Sequence, residues 1–85
     1  MFYTYISFTD THRLHDIGVT SNLQRRLKNL NATKKARESL KIVYYECFDN
    51  SRQASLKEDQ WRLMSEKELI SQVKNNNPLF INLVN

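Results

Sequence analysis

Apolar spacing along this chain shifts from a period near two to one near 3.6 and back, and each shift marks a new element. Phe2 to Phe8 is aromatic and β-branched, with Tyr3, Tyr5 and Ser7 on one face of an extended segment and Phe2, Thr4, Ile6 and Phe8 on the other. The polar cluster Thr9-Asp10-Thr11-His12 predicts a turn and Leu14 to Val19 a shorter strand, so the two are expected to pair as an antiparallel hairpin. From Ser21 the period lengthens. Leu23, Leu27 and Leu30 form one helical stripe, with Thr20-Ser21 as N-cap and Ser21/Gln24 as a capping box. Asn31 to Ser39 has no period and predicts a loop or a frayed helical turn.

Ile42 to Phe48 is the strongest strand pattern, with Ile42, Tyr44 and Phe48 on one face and Val43, Tyr45 and Cys47 on the other. Large residues on both faces predict a strand covered on both sides, with Cys47 as a small core residue. A second helix is expected from the Asn50 cap to about Leu63, with Ala54 and Trp61 on one side and Leu56 and Leu63 opposite. A third opens at Ser65, with Glu68 completing a capping box and Leu69, Ile70 and Val73 as its stripe. It ends at Asn75-Asn76-Asn77 before Pro78, and the apolar tail Leu79 to Leu83 is expected to pack back on the domain. The order β-β-α-β-α-α predicts an α/β (α+β) fold in which a three-stranded antiparallel sheet is flanked by three helices, as a single domain over residues 1–85.

Two charges interrupt apolar faces. Arg26 falls about 40° from Leu30 and 60° from Leu23, whereas Arg25 points away from the stripe. Glu58 lies between Ala54 and Trp61, about 40° from Ala54. Gly18, the only glycine, stands just before the first helix, where the backbone must take positive φ or lie close to another group.

Charge distribution sharpens this picture. The net charge is +4, yet seven of the 13 basic residues and only one of the nine acids lie between Ser21 and Lys41. Arg25, Lys28, Lys34, Lys35 and Arg37 in that stretch are the candidate nucleic-acid contacts, against the plainer alternative of a solvated helix and loop. A single cysteine permits no intrachain disulfide and favours a reducing, cytoplasmic setting. No run is long and apolar enough to span a membrane, and the first residues read as a strand, not as a signal peptide. His12 and His15 alone are too few for a zinc site.

The candidate chemistry therefore rests on Tyr5, Arg26, Tyr45 and Glu58, with Asn77. One carboxylate can hold a divalent ion, an arginine can complement charge on a phosphate, and a tyrosine can position or activate water. The same residues also allow a structural reading, with core tyrosines and an Arg26–Glu58 ion pair.

The chain resembles a GIY-YIG nuclease domain, of the small kind similar to the N-terminal domain of the DNA-repair excinuclease. Tyr3-Thr4-Tyr5 stands where the GIY triplet belongs and Asp16-Ile17-Gly18 where YIG belongs. The run from Gly18 to Leu27 resembles the segment after YIG, Val43 to Glu46 the third strand, and Arg52 to Glu58 the metal-binding helix. Asn77-Pro78 and Asn82-Leu83 resemble the closing segment. The resemblance implies cleavage of DNA phosphodiesters, in DNA repair or processing, with one Mg²⁺ or Mn²⁺ on Glu58. It assigns catalytic work to Arg26 and Tyr5, with Asp16 or Tyr45 beside the attacking water and Gly18 and Asn77 in support. A protein partner or a second copy would supply targeting. Two positions depart from the pattern: Asp16 replaces the second signature tyrosine, and Leu30 stands where many members carry histidine. The alternative is a relative that binds nucleic acid without cutting it.

Overall fold

The computed structural model describes residues 1–33 and 39–84. The expected order holds: β1 (Phe2–Thr9), β2 (Leu14–Thr20), α1 (Leu23–Thr33), β3 (Leu40–Phe48), α2 (Ser51–Arg62) and α3 (Glu66–Asn76). The strands form one antiparallel sheet in the order β2-β1-β3, with β1, the most continuously buried strand, at its centre.

Each face of the sheet is covered by a different part of the chain. On the first, Ile6, Phe8, Ile17 and Val43 pack against Trp61 of α2 and Leu69 and Val73 of α3. On the second, Tyr5 and Ile42 pack against Leu27 of α1 and Val84 of the tail, with Leu23 and Leu30 at the margin. The alternation along β1 sorts these residues, as the period of two requires.

The faces of β3 differ from the expected alternation. Ile6 pairs with Tyr44 and Ser7 with Ile42, so Val43 is an extra residue in the ladder. A bulge of this kind turns every later side chain over. Val43 and Tyr44 consequently both serve the α2/α3 face, while Ile42 belongs with Tyr45, not with Tyr44 and Phe48. Cover on both sides also extends over only the first half of the strand. Leu40, Ile42 and Val43 are buried, but Tyr45 and Cys47 are exposed, so Cys47 is not a core residue. The buried part of the α1 face stops at Ile42 and Tyr5, short of the Cys47 end.

The helix starts follow local hydrogen bonding. In α1 the cap is Asn22, not Ser21: its Oδ1 accepts from the Arg25 amide at 3.0 Å, and Thr20 Oγ1 accepts from the Asn22 amide. The helix also continues beyond Leu30 to Thr33, into the stretch expected to be a loop or a frayed helical turn. Asn31 accounts for this, because its amide donates to Leu27 O and to Leu40 O and accepts from Leu40 N, tying α1 to β3. Asn50 caps α2 by accepting from the Gln53 amide, and Ser65 and Glu68 form the expected reciprocal capping box on α3.

The tail folds back as expected, but mainly through its backbone, Phe80 and Val84. Leu83 N donates to Ile42 O, Phe80 stacks on Phe8, and Val84 is buried, whereas Leu79, Ile81 and Leu83 stay exposed. The outer edge of β3 is thereby closed by amide groups, while no strand among the described residues pairs with the outer edge of β2.

Candidate active site at the open edge of β2

Tyr5 projects from the central strand toward β2 and passes over Gly18, its partner in the ladder. A Cβ on Gly18 would lie 2.5 Å from the Tyr5 hydroxyl and 2.8 Å from its Cζ. The glycine therefore exists for close approach; its φ is not positive. With no side chain there, the phenol can reach the sheet edge while its ring stays in the core.

Arg26 comes down from α1 on the same side. Its guanidinium carbon lies 6.0 Å from the centre of the Tyr5 ring, and Nη2 donates to Val19 O at 3.4 Å. The helical position that brought Arg26 to the margin of the apolar stripe thus delivers its charge to the free edge of β2. Arg25, one residue earlier, points to solvent.

From the opposite face, α2 supplies Glu58. Ala54 and Trp61 are buried against the sheet, and the carboxylate between them is held at its rim, with 24% of the side chain exposed. Its partner is Arg62, not Arg26. Arg62 Nε and Nη2 both donate to Glu58 Oε2, at 3.1 and 2.8 Å. The same Nη2 donates to Ile17 O on the β2 edge and lies 3.7 Å from Asp16 Oδ1. The hydrogen bond to Glu58 raises the Arg62 pKa further above its ordinary value.

Tyr5 senses all of these groups. Burial raises its pKa, Arg26 lowers it, Asp16 and Glu58 raise it, and Arg62 lowers it again. The balance lies above the ordinary tyrosine value, so at neutral pH the phenol is protonated and acts as a donor. Among the described residues its hydroxyl has no hydrogen-bond partner, although Tyr5 as a whole is almost fully buried.

Tyr5, Asp16, Gly18, Arg26 and Glu58 are thus drawn together from β1, β2, α1 and α2. The other expected site residues lie elsewhere. Tyr45 pairs with Tyr5 in the ladder, but on β3, away from the β2 edge. It packs edge-on against Tyr3 at 5.9 Å, in a hollow that also includes Asn22, Gln24 and Leu83. Asn77 is buried, donating to Val43 O and Ile81 O and accepting from Ile81 N, so its amide fastens the tail to β3. Arg25 and Lys28 border a surface groove along α1. Lys34, Lys35 and Arg37 lie outside the described residues.

Arg62 is the residue that sequence reading passed over. The available signal was its position four residues after Glu58, the spacing of a helical ion pair.

The model of the GIY-YIG catalytic domain matches residues 1–78. The chain belongs to the GIY-YIG family. No curated protein and no solved structure is similar enough to the chain to count as a match. The family is of nuclease type, which brings nucleic acid to this domain as its class of partner. No helix among the described residues is long and apolar enough to cross a membrane.

GIY-YIG nucleases generally depend on a divalent metal, and the donors here can be tested for it. Glu58, Asp16 and the Ile17 carbonyl are oxygen groups of the kind that hard cations take. Glu58 Oε1 has no hydrogen-bond partner among the described residues. Donor chemistry therefore fits Mg²⁺ or Mn²⁺, although no group of three or more His, Cys, Asp or Glu side chains is found among the described residues.

Proposed function

We propose that this GIY-YIG domain is an endonuclease that hydrolyses DNA phosphodiester bonds at the open edge of β2. The supporting observation is the meeting of Arg26, the unpartnered Tyr5 hydroxyl and Glu58 beside Gly18, delivered by elements on both faces of the sheet. Arg26 binds the phosphate and complements the charge that grows on it during attack. Tyr5, held as the neutral phenol, donates a hydrogen bond to a phosphate oxygen or to the attacking water. Asp16 accepts a hydrogen bond from that water. Glu58 would hold one Mg²⁺ or Mn²⁺, which when bound supplies positive charge to the phosphate and the leaving oxygen. Arg25 and Lys28, with Lys34, Lys35 and Arg37, extend the basic track for the DNA backbone. Tyr45 belongs to the flank of this surface and Asn77 to its support through β3. Work in DNA repair or processing, a cytoplasmic setting and targeting by a partner or a second copy complete the reading.

A second reading has observations of its own. Asp16 in place of tyrosine, Leu30 in place of histidine, and Arg62 on the Glu58 carboxylate favour a relative that binds nucleic acid without cutting it.

Labelled single-stranded, duplex and branched DNA, incubated with Mg²⁺, Mn²⁺ or EDTA, separates the two. The endonuclease cuts only with metal, loses cutting in Glu58→Ala, and slows by about 10²–10³ in Arg26→Ala, as for removal of a group that stabilises developing charge. Binding without cutting in every condition supports the second reading. If binding itself is absent or insensitive to salt, both are wrong.

A further inference from the structure

We propose that Arg62 is a resident cation in the place where the divalent ion would bind, so that guanidinium and metal exclude one another at Glu58. The inference rests on the reading of Glu58 as the metal ligand and adds a residue that controls it. One nitrogen carries the argument. Arg62 Nη2 donates to Glu58 Oε2 at 2.8 Å and to Ile17 O, and lies 3.7 Å from Asp16 Oδ1. Two carboxylates and a main-chain carbonyl thus converge on a single positive centre. These are the oxygen types that Mg²⁺ and Mn²⁺ prefer, and a dication taken by Glu58, at Oε2 or at the neighbouring Oε1, would stand beside a charged guanidinium whose repulsion opposes its entry.

The geometry also provides for exchange. Arg62 is at the last residue of α2 and about half of its side chain is exposed, so its guanidinium can turn out to solvent without disturbing the buried Trp61 beside it. Arg26 meets Val19 O two residues further along the same edge. A released Arg62 therefore faces the position proposed for the phosphate, where its charge gains a new partner as the carboxylates pass to the metal. Asp16 has a stated role in this device, since a tyrosine there would offer Arg62 no second carboxylate.

Mn²⁺ binding, measured by the electron-spin-resonance signal of the free ion, tests the proposal without any cleavage assay. Arg62→Gln should bind Mn²⁺ at least tenfold more tightly than the unaltered protein, and Glu58→Gln on that background should abolish the gain. In the unaltered protein, saturating Mg²⁺ should also speed solvent exchange of the Arg62 Nε–H. Equal affinity of the unaltered protein and Arg62→Gln, at any level, overturns the resident cation; loss of both in Glu58→Gln would then leave the metal reading intact. A gain that survives Glu58→Gln overturns the proposal together with that metal reading. The altered residues lie at the surface, and a circular-dichroism melt confirms that each variant is folded.

Discussion

Replacing Gly18 by alanine would drive a methyl group into the Tyr5 phenol, a side chain that is 1% exposed and so has little freedom to yield. The expected cost is about 1–3 kcal/mol, the range for overpacking, read as a lower urea midpoint. The site should suffer too, because the phenol must leave the edge of β2. Tyr5 itself makes a pH-dependent contribution. Burial raises its folded pKa above the ordinary value near 10, so its share of stability is complete below that value and is lost as pH rises through the raised one. Unfolding midpoints between about pH 8 and 11 should therefore fall in the unaltered protein, and fall less steeply in Tyr5→Phe. Tyr44 adds to the same trend, raised by burial and then by its hydrogen bond to Glu46, so the slope in Tyr5→Phe should diminish without vanishing.

At the scale of elements, periodicity made the helices legible because each has one buried stripe. Ala54 and Trp61 are buried where a 3.6-residue period puts them, and Leu56 and Leu63 are exposed. The same period brought Glu58 to the sheet rim and Arg26 to the edge of β2, so the placement of these two charges could be read in advance. Trp61→Ala should accordingly cost about 3–5 kcal/mol and displace the Glu58 end of α2, while Leu63→Ala, at a fully solvated position, should leave the denaturation midpoint almost unchanged. What could not be read are features fixed by partners distant in sequence. The bulge at Val43 depends on the ladder with β1, and it reversed the expected faces of the second half of β3. Asparagines gave no periodic signal, yet Asn31, Asn77 and Asn82 each use both ends of the side-chain amide on backbone groups. Tyr45 and Asn77 were chosen as residue types able to take part in such chemistry, and residue type carries no information about which edge of the sheet a side chain faces. Arg62 was missed because the chain offers many basic residues, and only contact with Ile17 and Asp16 distinguishes this one.

The two edges of the sheet are treated differently, and that asymmetry sets how the whole molecule would meet nucleic acid. Asn31, Asn82 and the tail close the first half of the β3 edge, which removes it as a template for another strand. The β2 edge is guarded by Arg26 at Val19 O and Arg62 at Ile17 O, two cations in place of a pairing strand. An anionic backbone is therefore favoured where an incoming β-strand is not. Around that edge the exposed Arg25 and Lys28 on α1 extend the positive surface along the outside of the domain. If both neutralise phosphates, Arg25→Ala/Lys28→Ala should weaken duplex binding to all sequences alike and reduce the slope of log affinity against log salt by about 1.8, from roughly 0.9 per phosphate. Fluorescence anisotropy with labelled duplexes between about 50 and 200 mM salt measures this directly, over the interval in which phosphate contacts change affinity most visibly. An unchanged slope would place the DNA off α1 and along α2, where the exposed Arg52 is the next residue to replace. Arg26→Ala tested beside the double variant separates the two functions of positive charge: it should slow cutting far more than its one phosphate weakens binding, because its position at the Tyr5 ring ties it to the reacting group and not to the track.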